Sequence, residues 1–304
     1  MTVTSIAPGQ PGRTVARVRP PARSFWRTAW VRFSRNHVAM VSALFLLMMF
    51  VVAAFATSVA PQDPNRVMIL NQHLSPSGEH LLGTDESGRD VFSRLIVGAR
   101  ASIAVGLTAM IISIVIGSLV GSVAGFFGGF VDTILMRITD GMMAIPYFFL
   151  VLIVVAVFGS SFTNIVIVIG VTSWMVVARI VRSDVLRFRA NEFVTAARSI
   201  GAGDGRLLVR HILPHAVPSI LVAATLGVAN AILLESALSF LGLGIQPPAA
   251  SWGNMLSNSQ AYIWDNPLLP LYPGLLILLT VLAFNFLGDA LRDALDPQYR
   301  EGGH

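Results

Sequence analysis

Residues 191–214 read NEFVTAARSIGAGDGRLLVRHILP, a polar, basic stretch of two short helical patterns set inside an otherwise apolar chain. Glu192 to Ile200 places Phe193, Ala196, Ala197 and Ile200 on one stripe at helical spacing, with Asn191 as N-cap and Gly201 as the terminating residue. Gly201-Ala202-Gly203 then breaks the chain, Asp204 caps a second helix through Ile212, and Pro214 stops it. Two helices meeting at a bend of small residues predict a compact knob. The short side chains of Ala196 and Ala197 would let the backbone of another molecule approach closely.

The surroundings of this stretch set the class. The 304 residues are 54% hydrophobic and 12% charged, with a mean hydropathy of +0.71, too apolar for one soluble domain of this length. The chain reads as an all-α integral membrane protein. It has no cysteine, so disulfides, zinc-thiolate sites and thiol chemistry are excluded. All 21 basic residues are arginine, which excludes a GxxxxGK[ST] phosphate loop because its lysine is missing. Nucleotide chemistry therefore belongs to another chain. The net charge of +5 fits arginines that anchor a membrane protein at the cytoplasmic side, and no nucleic-acid partner is expected.

Residues 1–23, rich in Pro, Gly and Arg, predict a disordered basic tail; the late apolar run and the absence of paired arginines do not suit a secretory or twin-arginine signal. Residues 24–37 put Phe25, Trp26, Ala29, Trp30 and Phe33 on one face and Arg27, Arg32 and Arg35 off it, the pattern of an interfacial helix. An ordinary positive flank that orients the span after it accounts for the charges as well.

Six spans are predicted, at 38–60, 101–127, 134–158, 164–180, 217–243 and 268–287, within a membrane domain over 38–290, with a cytoplasmic end at 291–304. Between the first two, 61–100 carries nine charges and a short helix from about Ser87. Its GTDESGRD run has nearly balanced acids and arginines and predicts a self-paired turn rather than a cation site. In the second span Gly117, Gly121 and Gly125 recur every fourth residue, a packing face for another helix within or between chains. Pro146 interrupts the third. The fifth holds Glu235, the one charge deep in an apolar run, with Ser236 and Ser239 beside it. An acid there should face the bundle interior or water; it is either a pathway residue, together with Ser239, or an acid bonded to a neighbouring helix for register. Trp252, Tyr262 and Trp264 suit an interfacial belt. With the N-terminus inside, 17 of the 21 arginines lie in cytoplasmic segments, so both termini and the 181–216 loop are expected in the cytoplasm.

At the opening stretch the sequence resembles a known family. Ala196-Ala197, Gly201 four residues after Ala197, and Leu213-Pro214 follow the spacing of the "EAA" cytoplasmic loop of ABC importer permeases. The run AARSIGAGDGRLLVRHILPHAVPSILV looks like the oligopeptide, dipeptide and nickel branch, and HLLGTDESGRDVFSRLIVGARAS (80–102) and ESALSFLGLGIQPPAASWGNML (235–256) match it in order. Thr195 stands where the motif's Glu is usual, so no role is assigned to a carboxylate there, and His211 replaces a usual Ile. The resemblance implies a type I ABC importer transmembrane domain with a coupling-helix loop at 181–216, carried by Glu192, Thr195, Ala196, Ala197, Gly201, His211, Leu213 and Pro214. It implies as partners a second, homologous permease, two ATP-binding subunits or domains that hold ATP and Mg, and an extracytoplasmic substrate-binding protein. The cargo would be a short peptide, with nickel chelates the neighbouring possibility, and the site the bacterial cytoplasmic membrane. No catalytic residue, cofactor or metal site is expected on this chain.

Two other classes fit less well. A secondary transporter or channel would show broken helices or several ionisable groups at mid-membrane, where this chain has Glu235 alone. An intramembrane enzyme needs paired titratable groups, and all six histidines fall at loops or ends.

Overall fold

Every predicted span is helical, but the first (38–60) is split into α2 and α3 and the third into α5 and α6, and the other differences lie in where the helices start and stop. The computed structural model describes residues 25–295, so the predicted tail at 1–23 and the last residues of the 291–304 end fall outside it. In order the elements are α1 (Phe25–Arg35), α2 (His37–Ala54), α3 (Ala56–Val59), α4 (Val91–Phe127), α5 (Gly129–Met143), α6 (Tyr147–Phe158), α7 (Phe162–Arg189), α8 (Glu192–Ser199), α9 (Asp204–Arg206), a π-helical turn (Leu207–Ile212), α10 (Leu213–Phe240), α11 (Trp252–Ser259) and α12 (Leu268–Leu295). Among the described residues, five helical stretches are long and apolar enough to cross a membrane, or six if the bent α5–α6 pair counts as one.

The core of the bundle is the α4–α7 seam. A Cβ at Gly117 would sit 2.7 Å from the Trp174 carbonyl oxygen, at Gly121 2.4 Å from that of Ala178, and at Gly125 2.8 Å from that of Arg182. The two backbones are therefore in direct contact, running parallel, and the predicted glycine face packs within the chain. Beside this seam α10 runs antiparallel to α4, with Val228 and Ile232 over Gly106.

Several boundaries need correction. The second span is not 101–127 with a separate short helix before it: α4 is one helix of 37 residues, capped by the Asp90 side chain, which accepts from the Ser93 N–H. At ~1.5 Å per residue it runs well beyond a ~30 Å hydrocarbon layer. The third span is two helices, α5 and α6, bent by 80° at Ile145-Pro146, since proline removes an N–H and pushes the residue before it out of helical geometry. The fourth extends past 180 to Arg189, so the predicted loop at 181–216 begins only at 190. Beyond 180, Val181 and Val185 continue the apolar stripe that Val177 begins against the glycines of α4. Arg182 is held by Asp132 of α5, with Nη2 donating to Oδ2 at 2.6 Å.

The loop at 61–90 confirms a self-paired turn. Arg89 donates to Asp85 at 2.7 Å and to Glu86 at 2.8 Å, Arg94 lies 3.5 Å from Asp85, and His80 pairs with Asp90 at 3.0 Å. At the opposite end, α1 packs through Ala29 and Phe33 on Leu291, Ala294 and Leu295 of α12. Of the face predicted to lie at the membrane boundary, Ala29 and Phe33 are thus covered by α12, while Trp30 is 64% exposed.

Candidate functional site: the 190–214 loop and the membrane cavity

The 190–214 loop is a packed elbow with a different inner face from the one predicted. In α8 the buried residues are Val194 and Ala197, packed into the core that also takes Leu207 and Ile212, whereas Phe193, Ala196 and Ile200 are exposed. Asn191 occupies the N-cap with extended backbone but makes no side-chain cap bond. The C-terminus is a complete Schellman motif: Gly201 N–H donates to the Arg198 carbonyl at 3.0 Å and Ala202 N–H to that of Ala197 at 3.1 Å. It requires a left-handed residue, and Gly201 has φ +89 with open space where a Cβ would stand.

The second half departs further from expectation. Asp204 does not cap its helix; Gly203 holds that position, and Asp204 lies 3.5 Å from Arg198 in an exposed ion pair. Nor does Pro214 end anything. The chain runs from Asp204 through the π turn straight into α10, with Pro214 near the start of that helix and Pro218 inside it. A π turn explains this, because Leu213 N–H donates to Leu208, five residues back, and the wider ring makes room for a proline that can neither donate nor tolerate a close carbonyl four residues earlier. The elbow is thus continuous with a membrane helix. His211 is half-buried in the π turn, Leu213 half-buried beyond it, and Glu192, Thr195, Ala196 and Pro214 are exposed.

Sequence reasoning missed what holds the elbow. The His215 ring stacks on Phe188 with centroids 5.1 Å apart and lies 5.2 Å from Phe193, joining the ends of α7, α8 and α10. Val194, Leu207 and Ile212, the apolar residues of a polar stretch, were the available signal.

Glu235 lies at the other end of α10 and is fully buried. Ser239 Oγ donates to it at 2.7 Å and Ser102 Oγ, from α4, at 3.3 Å. Those hydroxyls in turn accept from Ile245 N–H and Trp252 N–H, both at 3.2 Å. Trp252, expected in an interfacial belt, is instead fully buried, its indole N–H bonded to the Leu95 carbonyl at 3.0 Å; Trp264, 93% exposed, does suit a belt. The Glu235 cluster therefore fastens α4, α10 and the 245–252 segment together.

A cavity of about 730 Å³ opens on the other face of α10, lined from five elements by residues that include Met110, Met143, Tyr147, Ser173, Met175 and Asn230. Glu235 and Ser239, predicted as pathway residues, do not reach it. Among the described residues, none that lines it carries a charge.

Comparison with known proteins fits these features. Residues 113–301 match the model of the binding-protein-dependent transport system inner membrane component, and residues 24–76 that of the N-terminal transmembrane domain of oligopeptide transport permease C. The chain belongs to the family of binding-protein-dependent transport permeases. This permease is 47% identical over 284 residues to the glutathione transport system permease protein GsiD of Shigella flexneri serotype 5b, covering 93% of this chain and 92% of that one. It is 45% identical over the same length to GsiD of Escherichia coli O6:K15:H31. Its fold is that of a type I ABC importer transmembrane domain: an inward-facing MetNI methionine ABC transporter superposes with a TM-score of 0.56 at 19% identity, over 67% of this chain and 96% of that one. The permease is an ABC-type, multi-pass inner-membrane protein of the peptide-transport branch. Its family is the membrane component of such importers, which work with a partner permease, ATPases and a binding protein, and is not itself catalytic.

Proposed function

We propose that this permease carries short peptides inward across the bacterial cytoplasmic membrane and that the 190–214 elbow is its coupling loop. The observation that carries the reading is mechanical. The elbow is anchored by Val194, Ala197, Leu207 and Ile212, exposes Glu192, Thr195, Ala196 and Ile200, and from Asp204 on joins α10 without a break. Force applied to α8 from outside the chain passes through its packing on Leu207 and Ile212 into the helical run that forms one wall of the cavity.

In this scheme two ATPase subunits hold ATP and Mg, dock on the exposed face of α8, and close on nucleotide. Their differential affinity for the two states of the elbow biases α10 and the cavity between inward-open and outward-open arrangements. A second permease closes the open side of the cavity, and an extracytoplasmic binding protein supplies the peptide. Both termini and the elbow face the cytoplasm, supported by the 17 arginines on that side. The kinship to permeases named for glutathione transport supports a small peptide-like cargo.

Gly201→Val tests the reading. The open space at Gly201 gives valine no clash, but its φ of +89 does not suit a β-branched residue, so the Schellman turn should unwind. The expected outcome is normal membrane insertion with loss of ATPase recovery when this chain is pulled down. Recovery of the ATPase at wild-type yield contradicts the proposal.

A further inference from the structure

We infer that the cavity is a binding site for the peptide main chain, with Asn230 as this chain's principal hydrogen-bonding residue and no charge from this chain's wall taking part in recognition. The inference rests on the peptide-import reading and adds the group that meets the cargo.

The polar inventory of the cavity can be worked out atom by atom. Ser173 Oγ donates its single hydrogen to the Ile169 carbonyl at 2.6 Å, and Thr172 Oγ1 donates to the Val168 carbonyl at 2.6 Å. Tyr147 OH lies 2.6 Å from Ser173 Oγ, whose hydrogen is already committed, so the phenol is the donor and its oxygen keeps lone pairs free. These three side chains therefore offer acceptors but no spare donor. Asn230 differs. It lies on α10, exposed to the cavity, and its side chain has no hydrogen bond to any described residue. Its position is 17 residues into a 28-residue helix, which at ~1.5 Å per residue is ~25 Å from the elbow end. An unpaired amide at that depth is costly against lipid, so a water-filled or peptide-filled cavity is the environment it suits.

A side-chain amide both donates and accepts, as a peptide group does, so Asn230 can pair with the C=O and N–H of a passing main chain whatever its side chains are. The acceptors at Tyr147, Thr172 and Ser173 face the same space. Met110, Met143 and Met175 complete the wall with unbranched, polarizable side chains that re-pack around different shapes. No lining residue offers a carboxylate or guanidinium that would hold one cargo charge and repel another. A volume of about 730 Å³ is in the range of sites that enclose small organic ligands.

The test uses the transporter copurified from membranes through this chain, reconstituted with its binding protein, with trialanine and the anionic peptide glutathione as probes. Asn230→Leu should lower the maximal uptake of each transported probe about five-fold, the worth of one net hydrogen bond, with ATPase recovery as in wild type. The concentration for half-maximal uptake should not move, since the binding protein sets it. Asn230→Gln should restore at least half of the rate. Asn230→Asp places a carboxylate in the neutral wall and should depress glutathione uptake several-fold more than trialanine uptake. Wild-type rates in Asn230→Leu, or equal losses of both probes in Asn230→Asp, overturn the inference while leaving peptide import intact. If wild type moves neither probe, the peptide-import reading itself falls and the inference with it. Should Asn230→Leu insert poorly, Asn230→Ala offers the same deletion without added bulk.

Discussion

The two ends of α10 are built on opposite principles. At the Glu235 end the polar groups are buried and pair with one another: carboxylate to Ser102 and Ser239, those hydroxyls to Ile245 and Trp252, and the indole to Leu95. At the elbow end the Arg198–Asp204 ion pair is exposed at 3.5 Å, and Thr195, Ala196 and Ile200 face outward, away from the core. One end spends its side chains on holding this chain together. The other keeps its surface free and its backbone stiff, which is what a handle for a separate protein needs. Damage should divide accordingly, with stability lost at the Glu235 end and docking lost at the elbow.

Six substitutions at five positions would sharpen or break that division. Trp252→Ala removes a fully buried ring and should cost about 3–5 kcal/mol, read as a large fall in the melting temperature of the purified chain in detergent. Glu235→Ala leaves two buried hydroxyls without their acceptor and should cost about 2–3 kcal/mol, and Glu235→Gln, which keeps an acceptor, less than half of that. Thermal melts of the pair check this; equal losses in Ala and Gln would show that shape rather than hydrogen bonding holds the cluster. Gly201→Val should cost about 1–2 kcal/mol through its left-handed backbone while removing ATPase recovery. Ala196→Leu is an exposed change worth within ~0.5 kcal/mol, yet it should impair ATPase recovery because it thickens the outer face of α8. Ala197→Leu, which faces the core, should instead lower the melting temperature. Had Ala196 and Ala197 equivalent effects, the assigned faces of α8 would be wrong.

Much of this architecture was legible in residue order. Long uncharged runs and the spacing of Gly117, Gly121 and Gly125 located the spans and a packing face, because lipid makes composition and small-residue periodicity nearly decisive. Local cues also read true at Gly201 and at the balanced charges of 85–90. What failed were arguments that a single residue ends a helix. Pro214 did not stop the chain because a π turn accommodated it, and the fourth span did not stop at 180 because Val181 and Val185 pack on the glycines of α4 and Asp132, fifty residues before Arg182, pairs with it. The stripe chosen for α8 missed Val194 because a short amphipathic helix admits two rotations, and only the position of Leu207 and Ile212 decides between them. Trp252 looked interfacial for a similar reason: its partner carbonyl at Leu95 is 157 positions away. The cavity was illegible altogether, since five separate elements make it.

The central claim, that an ATPase grips α8 from the cytoplasm, is open to one direct measurement. The 304 residues contain no cysteine, so Ala196→Cys introduces a single thiol at the exposed face of the elbow. A membrane-impermeant maleimide is applied to intact cells and to inverted membrane vesicles, the latter with and without bound ATPase subunits. Labelling in inverted vesicles alone, blocked when the ATPase is bound, is the predicted result. Labelling in intact cells, or labelling unaffected by the ATPase, would contradict it.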